Sequence, residues 1–124
     1  MKKLIHIDVK KNSETEEFYA DIDRNYSDFY EGDWIELEFT FPDEWKEYTY
    51  RVGTCLNDNK ILQVTLKNDM LIVPRQLSKL GELKVIVRGF RAKDYQQWDV
   101  WGGSKPDFVE LKIQEKPIEI GLKK

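Results

Sequence analysis

The sequence predicts an all-β fold, an antiparallel sandwich of seven to eight strands, and three observations predict it. In Trp34 to Phe41, the residues Ile35, Leu37, Phe39 and Phe41 alternate with Glu36, Glu38 and Thr40. Successive side chains of a strand point to opposite faces, so this spacing makes one apolar face and one wet face. The same alternation recurs along the chain with turn residues between the repeats. No long helical pattern and no strand–helix–strand rhythm interrupts it.

The elements follow in order. Leu4 to Val9 reads as a strand with Ile5, Ile7 and Val9 on one side and Leu4, His6 and Asp8 on the other. Phe18, Ala20 and Ile22 share a face of a short second strand. Gly32-Asp33 turns the chain into the strand that starts at Trp34, and Pro42 opens the turn that ends it. Tyr48, Tyr50 and Val52 alternate with Thr49 and Arg51, and Gly53 marks a bulge or a close backbone approach. Asn57-Asp58-Asn59 is a turn cluster. Leu62, Val64 and Leu66 then lead through Asn68-Asp69 into Met70 to Val73, a hairpin pattern closed by Pro74, which has no N–H for a ladder. Gln76 to Leu80 fits a single helical turn stopped by Gly81. Leu83, Val85 and Val87 form a strand ending at Gly89. Val109, Leu111 and Ile113 form another, and Pro117 to Lys124 is a tail whose Ile118, Ile120 and Leu122 could add an edge strand or reach a neighbour.

A chain of 124 residues is most simply one domain, residues 1–124, with residues 117–124 as a possible extended tail. Its residues are 40% apolar and 35% charged, which suits a packed core under a charged surface rather than disorder. The net charge is −3 with both signs interspersed, so no clustered basic face marks a nucleic-acid binder. The N-terminal apolar run is short and broken by Asp8, which is neither a signal peptide nor a membrane span. The chain is expected to be made in the cytoplasm, with no membrane partner.

Few residues carry reaction chemistry. Cys55 is the single cysteine and His6 the single histidine, which leaves no internal disulfide and no multi-histidine or cysteine zinc set. Cys55 reads as a small core residue, and His6 as a strand residue without a partner motif. Asp21, Asp23 and Asn25 are spaced like the opening of a calcium loop, but Tyr26 and Gly32 stand where that loop requires glycine and glutamate. No metal site, no cofactor and no catalytic residue is assigned, and the protein is expected not to be an enzyme.

The stretch from Phe90 to Asp107 is long for a β-domain connection and carries Tyr95, Trp98 and Trp101 beside Gly102-Gly103. Aromatic side chains supply contact area at low entropic cost, so these three are the candidates for a partner or glycan surface. The alternative is that they close the core.

The block from Phe39 to Gly89 runs Phe41-Pro42-Asp43-Glu44-Trp45, a strand, a turn at Asn57-Asp58, a hairpin, Ile72-Val73-Pro74, Leu80-Gly81, and a strand ending Val87-Arg88-Gly89. It resembles the immunoglobulin-like β-sandwich domains of phage tail, baseplate and fibre proteins, including the N-terminal domains of baseplate upper proteins. The resemblance implies structural roles. Trp45 would cover one end of the sandwich, Val73-Pro74 would end an edge strand, and Gly81 and Gly89 would make tight turns. It also implies a virion location, as a structural or adaptor module that contacts other virion proteins or itself, as a homo-oligomer.

Two other functions draw on the same residues. Tyr95, Trp98 and Trp101, with Asp94, Asp99 and Asp107 beside them, could bind a cell-wall glycan as a carbohydrate-binding module. The run from Glu14 to Asp33, eight acidic residues against Arg24, could serve a small acidic phage-encoded inhibitor of a host protein.

Overall fold

The computed structural model describes residues 2–23, 28–92 and 108–124, with the backbone alone at 92 and 108–110. Among them are ten strands: β1 (Lys2–Lys11), β2 (Phe18–Ile22), β3 (Phe29–Tyr30), β4 (Trp34–Thr40), β5 (Tyr50–Asn57), β6 (Lys60–Thr65), β7 (Met70–Ile72), β8 (Gly81–Ala92), β9 (Phe108–Ile113) and β10 (Ile118–Lys123). Single 3-10 turns stand at Asp43–Trp45 and Arg75–Leu77, and no described helix is long and apolar enough to cross a membrane.

The strands form two sheets. The first has the order β2-β1-β4-β7, and the second β3-β10-β8-β5-β6. β9 lies against the distal part of β8 and β10 against its proximal part. One core joins the sheets, built from the alternate residues Ile5, Ile7 and Val9, Ile35, Leu37 and Phe39, Leu83, Val85 and Val87, and Ile118, Ile120 and Leu122. The expected tail is therefore an interior strand, because its apolar row completes that core.

The sheets are mixed rather than purely antiparallel. β1 runs parallel to β4, and β10 parallel to β3. After the β1–β2 hairpin the chain crosses to the second sheet at β3 and re-enters the first beside β1 in the same direction. Period-two burial specifies faces, not direction.

Three further expectations are corrected. Asn68 and Asp69 do make a tight turn, with positive φ of 52° and 60°, but only the bridge Lys67–Met70 follows it. β6 then belongs to the second sheet and β7 to the first. The hairpin is β5–β6, turned at Asp58. Gly89 does not end β8 but lies inside it. A β-carbon there would stand 2.9 Å from two ring atoms of Trp45, so glycine makes room for the indole. Gly81, with φ of +121°, does open β8 from a turn. Finally, β5 faces the other way from the expected alternation: Gly53, Cys55 and Asn57 point inward, and Tyr50, Val52 and Leu56 outward.

Trp45 is fully buried, edge-on to Phe18 and stacked on Phe41 at centroid distances of 5.7 and 4.8 Å. Arg51 holds the turn that delivers it. Its guanidinium donates to the carbonyls of Tyr48 and Trp45 and to Asp69, and it lies 4.1 Å from the Phe41 ring centroid. At the other end, Asn57 donates to the carbonyls of Leu77 and Lys79, and Ser78 donates to that of Asp33.

Lys3 falls on the inward row of β1 and is buried. Its ammonium pairs with Asp33 at 2.9 Å, donates to the Asp28 carbonyl at 2.6 Å and lies beside the rings of Phe29 and Tyr30. A buried charge persists only when paired and hydrogen-bonded in this way. Gln114, also fully buried, joins the sheets where β9 gives way to β10. Its backbone N–H donates to Val87, its side-chain oxygen accepts from the Val87 N–H, and its amide donates to Lys116. The next residue, Glu115, donates to Phe18 of the first sheet.

Candidate functional site

The inward turn of Gly53 and Cys55 sets the character of the opposite face. With small residues inside, β5 presents Tyr50, Val52, Thr54 and Leu56 outward. The register sets apolar and polar neighbours side by side on this face: Thr65, Gln63, Arg88 and Lys84 flank Val52, Thr54 and Leu56. Tyr50 lies beside Phe90, and Phe90 beside Leu111; Val52 lies beside Arg88, and Arg88 beside Ile113; Thr54 lies beside Ile86, and Leu56 beside Ile61. The Tyr50 and Phe90 rings touch at 5.8 Å between centroids. Ile61 is 62% exposed and Leu111 45%; Arg88 is exposed too, and Tyr50, Val52, Thr54, Leu56, Ile86, Phe90 and Ile113 are half-buried. The outer face of the second sheet thus carries an apolar cluster at Tyr50, Phe90 and Leu111, with further apolar residues interspersed among Arg88, Lys84, Gln63 and Thr65. Large contiguous apolar patches, rather than single exposed aliphatics, are the surface feature associated with interaction sites.

β9 contributes to this cluster because its inward position is held by a polar residue. Lys112 turns toward the first sheet, its ammonium 5.7 and 5.5 Å from the ring centroids of Phe18 and Tyr48, and Leu111 and Ile113 consequently face out. The apolar alternation in the sequence suggested the opposite assignment. The signal that could have found the site is the pair Gly53 and Gly89, two inward positions without side chains on neighbouring strands.

Tyr95, Trp98 and Trp101 lie outside the described residues, in the sequence that joins β8 to β9. Asn25 of the partial calcium pattern is also outside them. Asp21 is described and is paired with Lys10 at 2.8 Å, and the Asp23 N–H donates to His6. No group of three or more His, Cys, Asp or Glu among the described residues is placed to hold a metal ion.

The acidic run is divided rather than gathered on one face. Asp28 pairs with Lys123, Asp33 with Lys3 and Asp21 with Lys10, while Glu31 accepts from the Leu80 N–H. His6 sits on the outer face of the first sheet, with Nδ1 3.2 Å from Glu38 and Nε2 3.3 Å from Asp8 and from Thr40. Cys55 is buried, and that burial pushes its thiol up to about 12, which keeps it out of the reactive thiolate form.

No protein-family model, no curated protein and no solved structure matches the chain.

Proposed function

We propose that this two-sheet body is an immunoglobulin-like docking module of a phage particle, a tail, baseplate or fibre component that acts by protein–protein contact rather than catalysis. The observation that carries the reading is the outward apolar cluster of Tyr50, Phe90 and Leu111, with Val52, Ile86 and Ile113 nearby around Arg88, on the outer face of the second sheet. An outer sheet face in water is ordinarily polar, and an apolar one is stabilised by covering it. The Tyr50–Phe90 pair supplies the rigid aromatic area that interface centres favour. The enclosed Trp45 and the edge strand β7, closed by Val73-Pro74, add support to the immunoglobulin-like part of the reading.

Size-exclusion chromatography with light scattering tests it. The expected result is a multimer that Leu111→Glu or Ile61→Lys converts to a monomer with an unchanged far-ultraviolet spectrum. Both side chains are exposed, so neither substitution burdens the core. A wild-type monomer, or a multimer indifferent to both changes, removes the proposal.

A further inference from the structure

A second surface lies on the opposite flank of the molecule. β2 ends the first sheet; it pairs with β1, and at Phe18 it also meets Gln114 in a parallel bridge. The Phe18 carbonyl points away from β1 and accepts from Glu115, while the N–H of Asp23 points toward β1 and donates to His6. Backbone groups alternate in direction along a strand, so Ala20 and Ile22 share the outward orientation of Phe18. Beyond the Phe18–Gln114 bridge, no strand among the described residues pairs with this side of Ala20 and Ile22.

That edge borders a slot of about 440 Å3 between the two sheets. Ala20 and Ile22 line one wall, and Pro117 and Ile118 line the other. Ile118 is buried, while Ala20 and Ile22 pack partly on the core, so the floor is apolar. Glu17 and Glu119 stand at the rim with Lys116. Lys10, the base nearest along the strand, is already paired with Asp21.

We infer that this edge receives an extended peptide of another protein, one with aliphatic residues at alternate positions and basic residues on its flanks, which pairs with Ala20 and Ile22 and seats its side chains on Ile118 and Pro117. Strand addition uses these elements: main-chain hydrogen bonds for affinity and a pocket for alternate side chains. The rim charge selects the flanks. It also argues against a second copy of this chain as the occupant. Antiparallel pairing of β2 with itself about Ala20 would set Glu17 against Asp23 on each side, and like charges opposed across a pair are destabilising.

Fluorescence anisotropy with three labelled peptides, KKVTVTVKK, EEVTVTVEE and KKVTPTVKK, tests the inference on the full chain. The first peptide is expected to bind saturably, and the acidic one at least about tenfold more weakly. The proline peptide is expected to lose binding, because it lacks a ladder donor. Ala20→Pro removes an outward N–H without removing a bond to β1, and is expected to weaken the first peptide by about tenfold. The exposed pair Glu17→Lys and Glu119→Lys is expected to reverse the preference between basic and acidic flanks, and it serves as the test if the proline variant fails to fold. Absence of saturable binding overturns the inference. So does equal binding of the proline peptide, which would mark charge attraction alone, or a flank preference unmoved by the double reversal.

Discussion

A β-carbon on Gly53 would stand 2.1 Å from Cδ1 of Leu71, the closest approach that any described glycine makes to a neighbouring side chain. Gly53 belongs to the second sheet and Leu71 to the first, so the missing side chain sets how closely the sheets meet. Leu71 is fully buried and sits on a short edge strand. Gly53→Ala is expected to destabilise by about 1–3 kcal/mol through overpacking. Leu71→Ala alone is expected to cost about 2–5 kcal/mol through the cavity it leaves. The double variant should recover part of the sum, because the added methyl then has space. Urea unfolding of the four proteins measures the coupling, and additive costs would contradict the contact.

The Lys3–Asp33 pair makes an acid-sensitive tie between the start of β1 and the entry to β4. Burial raises the Asp33 carboxyl, but the hydrogen bonds from the Lys3 ammonium and the Tyr30 N–H, together with the Lys3 charge, outweigh it and hold the group below its ordinary 3.8. A depressed native value means that the unfolded chain takes up the proton first. The contribution is therefore whole above the ordinary value and is lost as the pH falls below 3.8 toward the native one. Asp33→Asn leaves the buried ammonium without its counter-charge and should cost about 3–5 kcal/mol at neutral pH. Thermal melts from pH 7 to 2 should show the gap between wild type and variant narrowing only at the acid end.

Cys55 should resist alkylation in the folded protein. Its thiol titrates at about 12 instead of 9.0, so the nucleophilic thiolate is scarce at neutral pH and is also enclosed. A raised native value makes the linked stability complete below 9.0, with loss as the pH climbs from there toward about 12. Iodoacetamide labelling followed by mass spectrometry should give no adduct in buffer and complete modification in 6 M guanidinium. Prompt labelling of the native protein would contradict the burial.

Arg51→Lys keeps the charge and loses the planar fork. One ammonium cannot reach Tyr48, Trp45 and Asp69 together while lying on the Phe41 ring, so the variant is expected to lose about 1–3 kcal/mol. Because Arg51 fastens the turn that carries Trp45, the near-ultraviolet tryptophan signal should broaden before the far-ultraviolet signal changes. Parallel loss of both would place Arg51 in the global core instead.

Much of this architecture can be read from spacing alone. Lys3 shares the odd positions of Ile5, Ile7 and Val9, so its interior place follows from the same period that buries them. Gly53 announces a close approach. The β1–β4 direction is not legible, because alternation is the same for parallel and antiparallel neighbours. The facing of β5 is not legible either. Arg51, Gly53, Cys55 and Asn57 are small or polar yet inward, while Tyr50, Val52 and Leu56 are larger and outward, and only Leu71 and Trp45 from across the core decide between the two rows. The outward place of Tyr50 and Leu111 is hidden from the spacing for that reason. The aromatics with contact potential in the sequence, Tyr95, Trp98 and Trp101, lie outside the described residues; Tyr50 and Leu111 read as ordinary strand positions, and Phe90 as the start of a connection although it lies in β8.

Leu122 lies beside Phe29 across the β10–β3 boundary, which brings together residues separated by most of the chain. During synthesis, then, the ribosome releases the first sheet's central strands long before the second sheet can find its final member. Until β5 and β8 emerge, Ile35 and Leu37 lack the opposite sheet, and β10 completes that sheet last. Such a protein is expected to condense late, in one step, and to lean on chaperones while it waits.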